Sequence, residues 1–216
     1  MKTKRFAGLA FLLGSLPLLG GTCTEEKLVD LVIGFPTTVR LEASGELNTH
    51  FDMDTIDLKA DLDIATELDD AGIDPADLTD VNVSQVFYRV IQPDAGDPNR
   101  MITNGNLTVA RVIGGVPQAP AVLVSNWSMP AGASNVVDPN AWIDITSTIG
   151  SAGIALLNQL MDECVTELNG GPAVTDPEIE YTVSGDSSDP AIATAFEYEI
   201  KIVFQTVVQE TFEVPF

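Results

Sequence analysis

From Ile192 to Val208 the chain alternates with hardly a break. Ile192, Thr194, Phe196, Tyr198, Ile200, Ile202, Phe204, Thr206 and Val208 share one parity, and Glu197, Glu199, Lys201 and Gln205 take the other. A period of two puts one set of side chains on a core and the other in water, which is the mark of a half-buried strand. The run predicts a long antiparallel strand, with a bend that hands Phe212 and Val214 to a second sheet. Shorter segments carry the same mark. KLVDLVIGF follows a short tether within residues 23–36, Val39, Leu41 and Ala43 alternate with Thr38, Arg40 and Glu42, and VNVSQVFYRVIQ fills 81–92. GNLTVARVI at 105–113, AVLVSNWSM, AWIDIT and EIEYTVSG complete the set. The Pro-, Asp-, Gly- and Asn-bearing link between 92 and 105 reads as a hairpin connection.

The most acidic stretch also alternates. Phe51 and Met53 stand against Asp52 and Asp54; then, after a phase slip near Thr55, Ile56, Leu58 and Leu62 stand against Asp57, Lys59, Asp61 and Asp63. The expected arrangement turns the apolar set to a core and the carboxylates to water. Two segments change period. Residues 63–71 read as a short helix stopped at Gly72, and 149–168 as an amphipathic helix stopped at Asn169-Gly170-Gly171-Pro172. In the second, Ile154, Leu157, Met161, Cys164 and Leu168 recur at spacings of three and four, which makes Cys164 a core-facing position. Many short strands with one long helix inserted late predict a mainly β chain: a two-layer antiparallel β-sandwich as a single domain over 37–216.

The N-terminus departs from this pattern. MKTKR carries three positive charges, FAGLAFLLGSLPLL is apolar apart from one Ser, and the polar sequence begins at Cys23. The apolar run is shorter than the ~20 residues that span a membrane and is interrupted by Gly14 and Pro17. Residues 1–22 therefore read as an export signal peptide. The stretch LPLLGGTC resembles the signal of bacterial lipoproteins, in which a leucine and small-residue box precedes a cysteine that is lipidated and becomes the mature N-terminus. Here Gly20 stands three places before Cys23, where that family has Leu, and Leu19 lies one further back. The resemblance implies lipid attachment at Cys23 and a place in the bacterial cell envelope, anchored to a membrane by lipid. Cleavage beside Gly20, Gly21 and Thr22 would instead release a soluble periplasmic or secreted protein. Cys164 is the only other cysteine, so a bond between 23 and 164 stays open as the alternative to lipidation.

Charge narrows the partners. The leader takes three of the ten basic residues and none of the 32 acidic ones, so the remainder carries a formal charge of −25. Such a surface lacks the basic face that a nucleic-acid binder needs. Solubility is the plain explanation of the acidity, and calcium is the cofactor it would suit. An EF-hand frame starting at Asp52 fails, with Ile56 fifth, Asp57 where Gly belongs and Asp63 twelfth. Looser loop sites remain as metal candidates at Asp94 and Asp97, and at Asp186 and Asp189. A hydrolytic triad has only His50 to draw on and no G-x-S-x-G elbow. Trp127 and Trp142, near predicted strand ends, read as packing residues.

No catalytic residue is assigned. The expected function is a non-catalytic envelope or cell-surface lipoprotein acting as a binding or structural module. The alternative is a subunit of a surface assembly or adhesin, joined to a protein partner or to its own copies by strand addition through the C-terminal strand or the segment 28–43. A secreted calcium-binding domain and an outer-membrane barrel, the latter prompted by Phe212-x-Val214-x-Phe216, are lesser alternatives.

Overall fold

The computed structural model describes residues 23–35, 49–61, 64–192 and 195–212. The signal peptide, the predicted strand at 39–43, Asp63 and the terminal Val214 and Phe216 lie outside them. The elements are β1 (Cys23–Phe35), β2 (Thr49–Asp57), α1 (Ile64–Ala71), β3 (Leu78–Gln92), β4 (Met101–Ile113), β5 (Val116–Pro117), β6 (Ala121–Pro130), β7 (Ile143–Asp144), α2 (Ser151–Leu168), β8 (Glu178–Ser187) and β9 (Glu197–Phe212). They form a mainly β, sandwich-like fold of two open antiparallel sheets. Sheet A runs β1-β9-β3-β7; sheet B runs β2-β8-β4, with β5 and β6 both on β4.

The alternation in β9 holds where it is best expressed: Phe196, Tyr198, Ile200, Ile202, Phe204 and Thr206 are all buried. The strand starts at Glu197, however. Ile192 lies in the preceding loop, and Phe212 stays in sheet A opposite Cys23 instead of crossing to a second sheet. β8 alternates without exception, with Ile179, Tyr181 and Val183 inward. Between the sheets Tyr88 of β3 meets Trp127 of β6 edge to face, their ring centroids 5.1 Å apart. Trp127 sits in mid-strand opposite Gly105, where a Cβ would fall 1.8 Å from its Nε1, so only glycine leaves room for the indole.

Two pairings differ from expectation. β3 and β4 are not a hairpin: β3 belongs to sheet A and β4 to sheet B, and residues 93–100 arch between the layers. β2 pairs with β8 from Thr49↔Asp186 to Asp57↔Glu178 with no shift, so the phase slip near Thr55 does not exist. Directly opposed residues share a face. Asp52 and Asp54 therefore lie on the inward side with Val183 and Tyr181, while Met53 is 52% exposed. The reason is position. Among the described residues β2 is an edge strand of sheet B, and there Asp52 is half-buried and Asp54 exposed, so the inward face tolerates carboxylates.

α2 begins at Ser151, after a 3-10 turn over Thr146–Thr148. Its buried side is Gly153, Leu157, Leu160, Met161, Cys164 and Val165. Ile154 is only partly buried and Leu168 is exposed, so the stripe lies slightly to one side of the predicted one. The Asp-rich loops have a local cause. Asp74, Asp97, Asp138 and Asp189 each precede proline, and each accepts a hydrogen bond from the backbone N–H two residues on, at 2.9–3.1 Å. A short carboxylate caps the turn that proline begins.

Candidate functional site

Helix α2 packs against β3 and β6, and the rim it leaves open is a polar groove. The reason lies in β3. Among the described residues β7 covers its other edge only at Phe87 and Tyr88, which leaves the N–H groups further back in need of partners. β3 carries a bulge between Val83 and Gln85, beside the point where α2 reaches that edge. Asn158 of α2 accepts the Val83 N–H at 2.8 Å and donates to the Asn82 side-chain oxygen at 2.6 Å. Thr146 accepts from the Val86 N–H at 3.2 Å, and Ile145 N–H donates to the Val86 carbonyl at 2.9 Å. Side chains thus take the place of a neighbouring strand, each bond contributing about 1 kcal/mol net.

Beside this seam lies a cavity of about 670 Å³ bounded by α2, Asn82, Arg111 and the extended segment 172–175. Its volume falls within the range of small-molecule sites. Arg111 of β4 donates through Nη1 to Glu163 Oε1 at 3.1 Å and through Nη2 to the Thr175 carbonyl at 3.1 Å; Nη2 also lies 2.9 Å from Glu163 Oε2. Gln159 adds a bond to Glu163 at 2.9 Å. At one end Lys59 grips both Glu167 oxygens at 2.7 and 2.8 Å, and the Val174 N–H donates to the same carboxylate at 2.8 Å. The network ties sheet B, α2 and the 172–175 segment together. Chemically it suits hydrogen bonding to a polar ligand at the rim, where Thr166 and Asp162 also stand.

The charges respond to these contacts. Burial pushes the Glu163 carboxyl up, but hydrogen bonds from Arg111 and Gln159 and the guanidinium charge outweigh it, and the group sits below its usual range. Glu167 is held low by Lys59 and then by the Val174 amide, and the bond to Glu167 raises Lys59. Asp52 moves the other way. Burial raises it, the Met53 N–H partly offsets this, and Asp54 adds to the rise. A carboxyl whose folded pKa is depressed gives stability above its unfolded pKa and loses it as pH falls through the folded value; for a raised one, stability is lost as pH rises. Glu167→Gln is therefore expected to lower the melting temperature at neutral pH and to shrink its drop toward acid. Asp52→Asn should gain at neutral pH and not in acid. Calorimetry at the two pH values checks both, and equal acid drops for wild type and Glu167→Gln would contradict the assignment.

Burial also acts on a thiol and two phenols of the core. Cys164 is a free, buried thiol that burial pushes up to about 11, so it stays protonated at neutral pH. Burial likewise pushes Tyr88 up to about 12, and burial, Asp52 and Tyr181 push Tyr198 well above its ordinary value.

Three of the four metal candidates meet at one place, but around a cation of the protein's own. Arg100 is fully buried and Asp94 is 1% exposed; Nε donates to Asp94 Oδ2 at 2.7 Å, and Asp97 Oδ2 lies 3.8 Å away. Arg100 Nη1 donates to the Ser187 hydroxyl and to the Asp189 carbonyl at 2.8 Å, and Nη2 donates to the Ile192 carbonyl at 3.0 Å. The other Asp94 oxygen accepts the Gly96 N–H at 2.8 Å. Asp94 is a structural counter-ion. Asp186 stands apart in β8, accepting from Asn104 at 2.9 Å. Among the described residues no three His, Cys, Asp or Glu groups gather closely enough to hold a metal ion. Trp142 lies over Arg89 and Lys201, 4.5 and 4.6 Å from its ring centroid, on the outer face of sheet A. Neither Arg100 nor Arg111 belongs to a sequence motif. A lone arginine in the Asp-rich string PDAGDPNR, in a chain with ten basic residues, was the available signal.

No family model matches this chain, and no curated protein matches it. Among solved structures it is similar to a chain of Desmodium yellow mottle tymovirus, at 9% identity and TM-score 0.32, over 94% of this chain and 96% of that one. It is also similar to a chain of Turnip Yellow Mosaic Virus solved at 100 K, at 7% identity and TM-score 0.33, over 90% of this chain and 98% of that one. A likeness this slight carries no argument.

Proposed function

We propose that this chain is a non-catalytic lipoprotein of a bacterial envelope, exported by its leader, held to a membrane by lipid on Cys23, and serving as a binding or structural module. The observation that carries the reading is the leader itself: a basic start, a short apolar run and small residues directly before Cys23. β1 starts at Cys23, so lipid there would hold one end of sheet A against the membrane with no spacer. The rim of the α2 groove is the surface best suited to binding, since it combines volume with hydrogen-bonding side chains. Growth with radioactive fatty acid tests the anchor. Label on the wild type and none on Cys23→Ala is the expected result; an unlabelled wild type would overturn the proposal.

Strand addition remains a second reading because of one feature. β1 is thirteen residues long and, among the described residues, is paired on one side only. Such an edge is a template for another strand. The C-terminal strand is not available for this, since β9 lies between β1 and β3. Size-exclusion chromatography over a range of concentrations is expected to show association; a monomer throughout would remove this reading.

A further inference from the structure

Two Asn-Gly steps occur in the chain, Asn104-Gly105 and Asn169-Gly170. At such a step the missing side chain lets the glycine nitrogen reach the asparagine side chain. We propose that Asn169 is a site of spontaneous deamidation in the folded protein and that the fold protects Asn104. In the reaction the Gly170 nitrogen gives up its proton to solvent base and attacks Asn169 Cγ. The new C–N bond closes a succinimide as the bond from Cγ to Nδ2 breaks and ammonia leaves. Water then opens either carbonyl to give aspartate or isoaspartate, so the balance is one water in and one ammonia out, with no change of oxidation state.

The two sites differ in what must move. Asn169 caps the C-terminus of α2, and both it and Gly170 are exposed. The Gly170 N–H is held only by the Glu167 carbonyl at 2.9 Å, a last-turn bond of the kind that frays first, and a Cβ built on Gly170 would touch nothing within 4 Å. Asn104, though exposed, donates its amide to Asp186 at 2.9 Å. Gly105 is buried in β4 against the Trp127 indole, so rotating its peptide plane would drive the ring out of the core. The product also matters. A carboxylate at 169 adds negative charge to the end of a helix that has no basic residue in its last turn.

The test is to hold the folded chain at mildly alkaline pH, digest it, and follow both Asn-Gly peptides by mass spectrometry, with a parallel sample in denaturant. In denaturant both sites are expected to convert at similar rates. In the folded protein Asn169 should convert at least about tenfold faster than Asn104, a ratio equal to ~1.4 kcal/mol of barrier. Conversion of Asn104 at the pace of Asn169, or an Asn169 that stays intact in the folded chain while it converts in denaturant, would overturn the proposal.

Discussion

Arg100→Met is expected to lower the unfolding free energy by about 3–5 kcal/mol, the cost of removing one partner from a buried ion pair. The side chain is fully buried and its guanidinium serves four oxygens at once: the Asp94 carboxylate, the Ser187 hydroxyl and the carbonyls of Asp189 and Ile192. Its own carbonyl accepts from the N–H groups of Ala131 and Gly132 at 2.9 and 3.0 Å. The residue therefore knots three connections: the arch at 93–100, the segment after β6 and the loop before β9. Methionine fills the space but donates nothing. Asp94 would then hold a negative charge away from water, the Ile192 carbonyl would lose the Arg100 donor, and the Asp189 carbonyl would keep the Ser187 hydroxyl at 3.3 Å. For a domain of this size the loss corresponds to a fall of about 6–20 °C in melting temperature. Replacing both partners, as in Arg100→Met with Asp94→Leu, should cost less than the two single changes added together, because no charge is left stranded. Urea unfolding of the four proteins measures the cycle. A stability for Arg100→Met within 1 kcal/mol of wild type would show that the clasp carries little.

How far the sequence foretold this depends on the reach of each interaction. The inward residues of β8 and the stretch from Phe196 to Thr206 in β9 were legible because both strands lie between two neighbours, where the pleat alone decides what is buried. α2 was legible from its spacing. β2 is not legible in this way because Met53 is apolar and Asp52 is not, yet Met53 is the one that faces water. At the margin of a sandwich the inward face is not sealed, and a backbone register set by Ile56 and Leu58 overrides local polarity. The link between β3 and β4 looked like a hairpin because turn residues do not record which sheet the next strand will join. Arg100 and Asp94 are near in sequence, but their partners at Ser187, Asp189 and Ile192 are some ninety residues away, and no periodicity encodes such contacts. The groove depends on the same kind of distance: Asn158 finds Val83, Arg111 finds Glu163 and Lys59 finds Glu167 only once α2 has docked.

That docking rests on Gly153, and Gly153→Val is expected to cost about 3 kcal/mol, at the upper end of overpacking penalties. A Cβ at 153 would fall 2.5 Å from Leu123 Cα and 2.8 Å from its nitrogen, so it would strike the backbone of β6 and not a side chain that could swing aside. The helix must lift. Lifting loosens Leu157 and Leu160, both fully buried, and strains the bond from Gly150 N–H to the Leu123 carbonyl at 2.8 Å. It also draws Asn158 away from the Val83 N–H, which should then exchange with deuterium far faster than in wild type. Gly153→Ala separates this cause from helix propensity. In a peptide spanning 150–169, alanine should raise helicity, since glycine in a helix interior costs about 1 kcal/mol relative to alanine. In the folded chain the same change should lower stability, because the contact with β6 outweighs that gain. Circular dichroism of the peptides and urea unfolding of the chains give the two signs. If Gly153→Val unfolds at the wild-type midpoint with the Val83 amide still protected, the close seat of α2 on β6 is not what fixes the helix in place.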